Sequence, residues 1–533
     1  MNAYSDALPA DIRGYHLRTK HAPNRYALGP AFLDWTSQPS PFRRFEGARL
    51  IELPLSRGPE TPFPGPARDP APLDAAALGL FLELAFGLSA WKTAEGSTWA
   101  VRNNPSSGNL HPTEAYILAN ALAGLSETAG LYHYAPQEHG LEERAHYAAA
   151  QAVPVGGFLL ALSAIPWREC WKYGERAFRY CQLDAGHAIG AAAQACAGLG
   201  WRAHVFAAPS DDEIAALIGL DRADAFHRRE EEHPDVLLWI ATDGAPPPVI
   251  DLAALRAEPR TFHGAANRLS EDHDGWPLVD RAVRLCHKAG SAAPEPPPVL
   301  PAPSIDGPAI GEVVRRRRSV QRMDGVSTLP LETFRLTLAA TLPGAEPLMS
   351  AFPFPPRLLL VFYVHRVEGL EPGLYLLARD AEMAARLRAA SHADFEWAPV
   401  DLLGVPLFRL RAGAHEREAT KFACLQPIAG KGCFAVAMIA DFDRALTEEG
   451  AFAYRRLHWE AGLIGQVFYL WATAAGLAGT GIGCFFDDEV HAMLGLPAGE
   501  TQFQDVYHFT VGGAVEDTRI LTLPPYPEER RRP

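Results

Sequence analysis

The sequence predicts an α+β protein built from two similar, layered α-β-α domains in tandem, and three observations lead to this prediction. Predicted helices alternate with short apolar strands in both halves of the 533-residue chain, as they do in layered folds. The segment GERAFRYCQLDAG at 174–186 returns in altered form, and without a gap, as GAFAYRRLHWEAG at 450–462. A proline-rich stretch separates the two copies. Two copies joined by a connector amount to a dimer fused into one chain, so we expect an intramolecular pseudo-dimer.

The first half begins with a polar N-terminal extension, residues 1–72, which ends in a proline cluster. The first domain follows as residues 73–288. Its apolar periodicity predicts a helix, two strands and a long helix, at 73–87, 114–120, 158–165 and 180–199.

The second half repeats this order after a linker, residues 289–303, whose prolines favour an extended and semi-rigid spacer. The second domain is residues 304–533. It also predicts a helix, two strands and a long helix, at 329–340, 357–365, 433–442 and 453–475.

One uncharged stretch, from Gly462 to Phe486, is long enough to span a bilayer. Several glycines interrupt its C-terminal part, and no cluster of Lys or Arg follows it. We therefore expect a buried helix that ends near Gly476 and a tight turn into a strand.

Composition excludes some classes of function. The formal net charge is −14, which disfavours a general binder of nucleic acid or of anionic membranes. The seven cysteines include no CxxC pair and no close His/Cys cluster, so we expect no metal site and no disulfide framework. That cysteine usage, and the lack of an apolar segment at the N-terminus, favour a reducing, cytoplasmic location.

Two motifs offer groups that bind an anionic ligand. Pro105, Ser106, Ser107, Gly108 and Asn109 form a turn directly before a predicted strand, with backbone N–H groups, hydroxyls and an amide. More than two hundred residues later, four arginines at 315–318 precede a serine. Guanidinium groups bind phosphate in a bidentate manner, so an arginine run in an acidic chain indicates a specific anion site.

These motifs resemble those of the nitroreductase-like FMN flavoproteins, which carry a Pro-Ser-Ser-x-Asn turn and an Arg-Arg-Ser-Val-Arg element. The resemblance implies that FMN is the cofactor and that Arg317, Arg318 and Ser319 bind its phosphate. Gln321 stands where the family usually has Arg or Lys, and Arg322 follows it. The resemblance also implies the nitroreductase-like form of the α-β-α domain in both halves.

The same resemblance covers two segments near the C-terminus. GTGIGCFF at 479–486 is similar to a strand and turn that approach the flavin, which implies that Gly483 and Cys484 lie near its redox edge. The segment VGGAVEDTRILTL is similar to the closing strand of the family and implies a phosphate contact by Arg519.

A narrower resemblance lies in CWKYGERAFRYCQLDAGHA at 170–188. It is similar to the SagB-type dehydrogenases, which oxidise azolines in thiazole- and oxazole-modified peptide pathways. The resemblance implies that Lys172 and Tyr173 are the catalytic acid/base pair. A desolvated lysine can accept the proton that leaves a ring carbon as hydride departs to the flavin.

The motifs expected to bind FMN and the substrate are divided between the two halves, so we expect one complete site and one FMN per chain. The first half has the Pro105 turn and Lys172-Tyr173, but the segment directly before its first predicted helix, ARDPAP at 67–72, has a single arginine, Arg68. The second half has the arginine run but PLMSAF at 347–352 in place of the turn, and acidic residues at 448–449.

Three functions stay open at this point. The first is an FMN-dependent dehydrogenase that acts on a small or peptide-borne azoline-like substrate. The second is a nitro- or quinone reductase that takes electrons from NAD(P)H. The third is a degenerate flavoprotein fold that serves as a binding scaffold.

Overall fold

A computed structural model describes residues 7–56, 61–65, 69–258, 260–303 and 305–532. The predicted boundary residue 304, Arg68 and the first six residues of the N-terminal extension lie outside these ranges. Within them the helices are α1 Ile12–Arg18, α2 Ala75–Phe86, α3 Pro166–Tyr173, α4 Ala177–Leu199, α5 Asp211–Ile218, α6 Leu252–Ala257, α7 Pro277–Leu285, α8 Ile310–Arg316, α9 Leu331–Ala340, α10 Ala381–Ala390, α11 Glu416–Phe422, α12 Pro427–Lys431, α13 Phe442–Glu449, α14 Ala453–Ala474 and α15 Asp487–Leu494.

The strands of the first half are β1 Phe45–Glu46, β2 Leu50–Glu52, β3 Leu55–Ser56, β4 Leu88–Ala94, β5 Ser97–Arg102, β6 Thr113–Ala119, β7 Gly130–Ala135, β8 Gly140–His146, β9 Gly157–Ala164, β10 Arg202–Phe206, β11 His233–Ala241 and β12 Ala265–Ala266. Those of the second half are β13 Leu358–Val364, β14 Gly373–Leu377, β15 Ala398–Pro399, β16 Leu407–Ala412, β17 Phe434–Asp441, β18 Ala478–Ile482, β19 Phe503–Gly512, β20 Leu521–Leu523 and β21 Arg531–Arg532.

Each half contains its own seven-stranded antiparallel sheet. The strand order is β10-β11-β9-β6-β7-β8-β2 in the first and β15-β16-β14-β13-β17-β19-β18 in the second. Central strands are buried on both faces, because side chains alternate between a core shared with α4 and α14 and an outer cluster covered by other helices. In β9, Leu160 faces the shared core and Leu159 faces α5 and α6. The predicted α+β fold with two α-β-α domains is confirmed.

The two long helices, α4 and α14, pack against each other where both have a glycine. A Cβ atom at Gly186 would overlap the carbonyl oxygen of Trp459, and one at Gly462 would overlap that of Leu183. Only glycine allows this close backbone approach, which is the reason the repeated segments share it. Gly186 and Gly462 therefore meet at the centre of the interface between the halves.

Each long helix also sends an arginine into the other half. Arg179 of α4 donates to Asp487, at the start of α15, over 3.1 Å, and Arg455 of α14 donates to Asp211, at the start of α5, over 2.6 Å. All four side chains are buried. The two contacts are reciprocal, since 179 and 455 differ by the same 276 positions as 211 and 487.

Helices α1 and α7 are followed by a second reciprocal pair of contacts. Lys20 pairs with Asp488 over 2.8 Å, and His287 pairs with Asp212 over 3.0 Å. α1 lies in the predicted N-terminal extension, whereas α7 lies in the predicted first domain, yet they occupy equivalent places around the two halves.

The C-terminal segment crosses to the first half. β20 pairs with β4 of the β4–β5 hairpin, and β21 pairs with β3. β20 thereby extends the β4–β5 hairpin, which precedes the Pro105 turn, to a three-stranded sheet.

The uncharged stretch at 462–486 forms the C-terminal part of α14, a turn at Gly476 in the left-handed region, and β18, as expected. Among the described residues, no helix is both long and apolar enough to cross a membrane.

Candidate active site

A cavity of about 990 Å³ opens between the two halves. The first half contributes β5, the Pro105 turn, the end of α3 and one face of α4. The second half contributes the arginine segment after α8, the end of α14, β18 and the segment 514–522. A volume of this size is typical of cofactor sites.

Twelve of the fourteen predicted site residues line this cavity. They are Pro105, Ser106, Ser107, Asn109, Lys172, Tyr173, Arg317, Arg318, Ser319, Gln321, Gly483 and Cys484. The geometry gives no support to the predicted phosphate contacts of Arg322 and Arg519, which are exposed and do not line the cavity. The side chain of Arg519 instead pairs with Asp517 over 2.6 Å.

Arg317 is a buried cation whose guanidinium is held by backbone. Its Nε and Nη2 donate to the carbonyl oxygens of Asn103 and Arg102, each over 3.0 Å, and its plane lies over the ring of Tyr469. Its Nη1 has no hydrogen-bond partner among the described residues. Burial lowers the pKa of Arg317, so an anion bound here would relieve the cost of the buried charge.

Arg318 and Ser319 line the cavity beside Arg317. Arg318 donates to the carbonyl oxygens of Arg315 and Arg317 over 2.7 Å and to that of Ser89 over 2.9 Å. Burial and the neighbouring Arg317 lower the pKa of Arg318 to about 10. The Ser319 hydroxyl lies 2.7 Å from that of Tyr469. Two adjacent arginines held by neutral carbonyls retain their full charge for a phosphate.

The side chains of the Pro105 turn are mostly engaged within their own half. The backbone N–H and the hydroxyl of Ser107 both donate to Asp184, each over 3.0 Å. Asn109 donates to the carbonyl of Ala100 over 2.8 Å. The backbone N–H and the hydroxyl of Ser107 are thus both engaged by Asp184, so the turn lines the cavity mainly by its shape, which differs from the prediction.

Asp184 is a site residue that the sequence prediction missed, although it lies within the repeated segment 174–186. It lines the cavity, and burial raises its pKa to about 7, an effect that hydrogen bonds from Ser106 and Ser107 oppose. Tyr180, Asp184 and His187 all line the cavity from one face of α4, a spacing that could have identified them.

His187 and Tyr180 of α4 line the cavity and contact residues of the second half. His187 contacts the hydroxyl of Tyr507 over 3.0 Å, and burial lowers its pKa to about 3, which keeps the ring neutral. Tyr180 and Arg176 donate to the carbonyl oxygen of Gly483, over 3.1 and 2.9 Å. The strand end before Cys484 is thus fixed by α4.

Lys172 and Tyr173 end α3 and face the cavity together. The Lys172 ammonium lies 5.4 Å from the Tyr173 ring centroid, and this ring lies 4.6 Å from that of Tyr180. The chain then turns at Gly174, whose φ of +54° and close contact with Leu28 require glycine. Burial and the nearby Glu169 raise the pKa of Tyr173 well above its usual value, so its phenol stays protonated.

One disulfide lies beside this site, although the cysteine spacing predicted no disulfide framework. Cys424 and Cys484 form it, 60 residues apart in sequence, and Cys484 lines the cavity. Sequence spacing could not reveal it, because the fold brings the end of α11 against the end of β18. The other five cysteines are free and buried.

The residues present fit the phosphate and ring of FMN. The unpartnered Nη1 of Arg317 and the charge of Arg318 suit the phosphate. The backbone of Gly483 and the side chains of Lys172 and Tyr173 line the same cavity and suit the ring edge.

Comparisons with known proteins give the same family for both halves. The Nitroreductase family model matches residues 69–227 and 314–513. A solved structure of a candidate nitroreductase from Anabaena variabilis superposes with a TM-score of 0.68 and 23% identity, over 94% of this chain and 99% of that one. A candidate nitroreductase of Methanocaldococcus jannaschii is 31% identical over 93 residues, 16% of this chain and 46% of the relative, so the match spans less than half of that relative.

The two matched segments together cover well over half of the chain, and residues of both line the cavity. The chain therefore belongs to the nitroreductase family.

Proposed function

We propose that the protein is an FMN-dependent dehydrogenase of the SagB type, with one active site between its halves and a small or peptide-borne azoline-like substrate. The observation that carries the proposal is the meeting of Lys172 and Tyr173 from the first half with Arg317 and Arg318 from the second in one cavity. The oxidoreductase class follows from the family, and the substrate class rests on the Lys172-Tyr173-Gly174 motif.

The side chains of the cavity have separable roles in this proposal. Bound FMN supplies the hydride acceptor. Arg317 and Arg318 hold its phosphate, and Lys172, acting as the neutral amine, accepts the proton that leaves the substrate carbon and becomes the ammonium. Tyr173 keeps its own proton and donates a hydrogen bond that orients the substrate.

We further propose that the halves form a pseudo-dimer with one working site, because the equivalent place on the other side is closed. There the 3-10 helix Met349–Ala351 stands where the first half has Ser107–Asn109. The cavity beside it, lined by Phe63, Leu348 and Trp471, measures about 10 Å³, room for no more than a water molecule. Arg68, the first half's arginine ahead of α2, lies outside the described residues.

The acidic residues at 448–449 do not close that place by electrostatic repulsion of a phosphate. Glu448 and Glu449 pair with Arg357, and Glu449 also pairs with Arg456. Their charges are neutralised locally, so the closure is steric.

Flavin stoichiometry tests the proposal. The purified protein should show flavin absorbance, and FMN released by denaturation should equal one molecule per chain. A ratio near two would contradict the single-site arrangement. A colourless protein that FMN cannot reconstitute would favour a binding scaffold instead.

Family membership also favours a second candidate, an NAD(P)H-dependent nitro- or quinone reductase. Anaerobic mixing separates the two candidates. Rapid bleaching of the flavin by NADPH supports the reductase, whereas bleaching by an azoline peptide but not by NADPH supports the dehydrogenase.

A further inference from the structure

A second cavity, of about 450 Å³, lies away from the candidate active site. Helices α4, α5 and α7 and strand β11 of the first half surround it, and Arg455 reaches it from α14. Its apolar wall includes Phe178, Ala215 and Val283, and its polar wall includes Asp211 and Asp235.

Both of these aspartates are more than nine-tenths buried and incompletely paired. Asp235 accepts at Oδ1 from Gln182 over 3.0 Å and from Arg455 over 3.4 Å, while its Oδ2 has no partner among the described residues. Asp211 accepts at Oδ2 from Arg455 over 2.6 Å and from the backbone N–H of Lys288 over 2.9 Å, while its Oδ1 has none there. Arg455 thus hydrogen-bonds to both buried carboxylates. The buried Lys288 ammonium lies near Asp211 but donates to the carbonyl oxygens of Ala207 and Pro209, and among the described residues it donates to neither aspartate.

The other ionisable groups around the cavity do not supply the missing cation. Glu232 is satisfied by Arg43, Tyr116 and Ser163. Asp212 pairs with His287 at the exposed rim, and Arg284 is exposed. Burial lowers the pKa of His233, which keeps it neutral. Burial also raises the pKa of Asp235 to about 6, the response of a carboxylate without enough positive charge beside it.

The other half of the molecule shows what fills the equivalent space. α15 reads DDEVHAML where α5 reads DDEIAALI, 276 residues earlier, so His491 corresponds to Ala215. The contacts after α1 and α7 align Lys20 with His287, so His16 corresponds to Val283.

On that side of the molecule the imidazole rings of His16 and His491 fill the equivalent space, and their ring nitrogens form hydrogen bonds. His16 contacts Tyr454 and Gln504 over 3.3 and 3.1 Å, and His491 accepts from the backbone N–H of Asp505 over 2.9 Å. Around the second cavity the smaller Ala215 and Val283 leave this room open beside the two aspartates.

We propose that the second cavity is a binding site for a small organic cation, a primary ammonium or guanidinium with a short apolar body. Its charged end hydrogen-bonds to Asp235 and Asp211, and its apolar part packs against Phe178, Ala215 and Val283. This site shares no lining residue with the candidate active site, so the inference goes beyond the proposed function and does not depend on it.

Calorimetric titration of the full chain as purified tests the proposal, with n-butylammonium chloride as the probe and 1-butanol as its neutral isostere at matched ionic strength. The expected result is saturable binding of one cation per chain and no binding of the alcohol. Asp235→Asn should weaken cation binding about tenfold or more, because it removes the buried negative charge. Asp394→Asn, at an exposed ion pair with Arg411 in the second half, is the matched control and should bind as the original chain does.

Variants that fill the second cavity test the proposal independently. Ala215→His combined with Val283→His reproduces the other half and should abolish binding, and Ala215→Leu alone should do so if the double variant does not fold. Circular dichroism and flavin absorbance show that each variant is intact. The proposal is overturned by no saturable heat up to ~50 mM probe, a range that covers millimolar affinities. It is also overturned by equal binding of 1-butanol, or by cation binding that survives Asp235→Asn or the filled cavity.

Discussion

The arginines of the 315–322 segment differ in environment although they are neighbours in sequence. Arg322 is exposed, whereas Arg315 and Arg316 pair with Glu83 and Glu312. Arg317 is buried with neutral partners, and its Nη1 has no partner among the described residues. A run of identical residues therefore contains two arginines in ion pairs and two, Arg317 and Arg318, that we propose bind the phosphate, and only the fold separates them.

We expect Arg317→Ala to raise the dissociation constant of FMN by about 10- to 150-fold, because a charge-assisted hydrogen bond contributes about 1.5–3 kcal/mol. Fluorescence titration of the apoprotein with FMN measures the effect. Arg519→Ala is the matched control, since Arg519 is exposed and pairs with Asp517, and it should leave the dissociation constant unchanged. Equal affinities for the Arg317 variant and the original chain would refute this assignment.

We expect Lys172→Ala to lower turnover by about 10²–10⁴-fold while FMN stays bound, the usual loss when a general base is removed. Steady-state rates with an azoline peptide, and the flavin spectrum of each variant, measure the two parts of this prediction. Lys421→Ala is a suitable control, because Lys421 is on the surface and pairs with Glu489. Normal turnover of the Lys172 variant would exclude it as the base.

At the scale of elements, hydrophobic periodicity predicted most of the helices and strands, and the two ligand-binding motifs predicted which of them meet at the site. The Pro105 turn and the arginine segment were both assigned to the site from sequence, and both line the cavity. Asp184 was not assigned, because its role depends on burial and on the hydroxyl of Ser107, which pattern alone does not give. The predicted phosphate contact of Arg519 gains no support from the geometry, because similarity of a segment does not fix the direction of an exposed side chain.

The Cys424–Cys484 disulfide also belongs to this scale, because it joins the end of α11 to the strand end at the cavity. Thiol titration of the air-purified, guanidinium-unfolded chain should give five thiols without reductant and seven after reduction, since five of the seven cysteines are free. Cys433→Ser, which removes a buried free thiol, should give four and six. Seven thiols in the unreduced chain would show that the pair is not joined.

At the scale of the whole molecule, the two halves are joined by contacts between residues that lie far apart in sequence. α7 is the counterpart of α1, so we propose that the second repeat unit begins at α7 rather than at residue 304. The predicted boundary at 288 followed the proline-rich linker, which marks a change in composition but not the point where one repeat ends.

We expect both halves to unfold in one calorimetric transition, because buried ion pairs cross between them. Asp487→Asn leaves Arg179 without its carboxylate partner and should destabilise the protein by about 3–5 kcal/mol, the usual cost of an uncompensated buried charge. The single transition should move as a whole to lower temperature. Asp443→Asn, at a half-exposed ion pair with Arg13, is the control and should change stability by less than about 1 kcal/mol. Two separate transitions would show that the halves fold independently.

The closed space beside Met349–Ala351 has a consequence for how such a chain can change over generations. In a homodimer every substitution appears in both sites at once, so a change that closes one site closes the other. In this single chain a substitution occurs once, and bulky residues such as Phe63 and Trp471 can fill one side while the cavity on the other side is kept. In the pseudo-dimer that we propose, covalent fusion thus allows the closed side to acquire different side chains while the residues of the other cavity are kept.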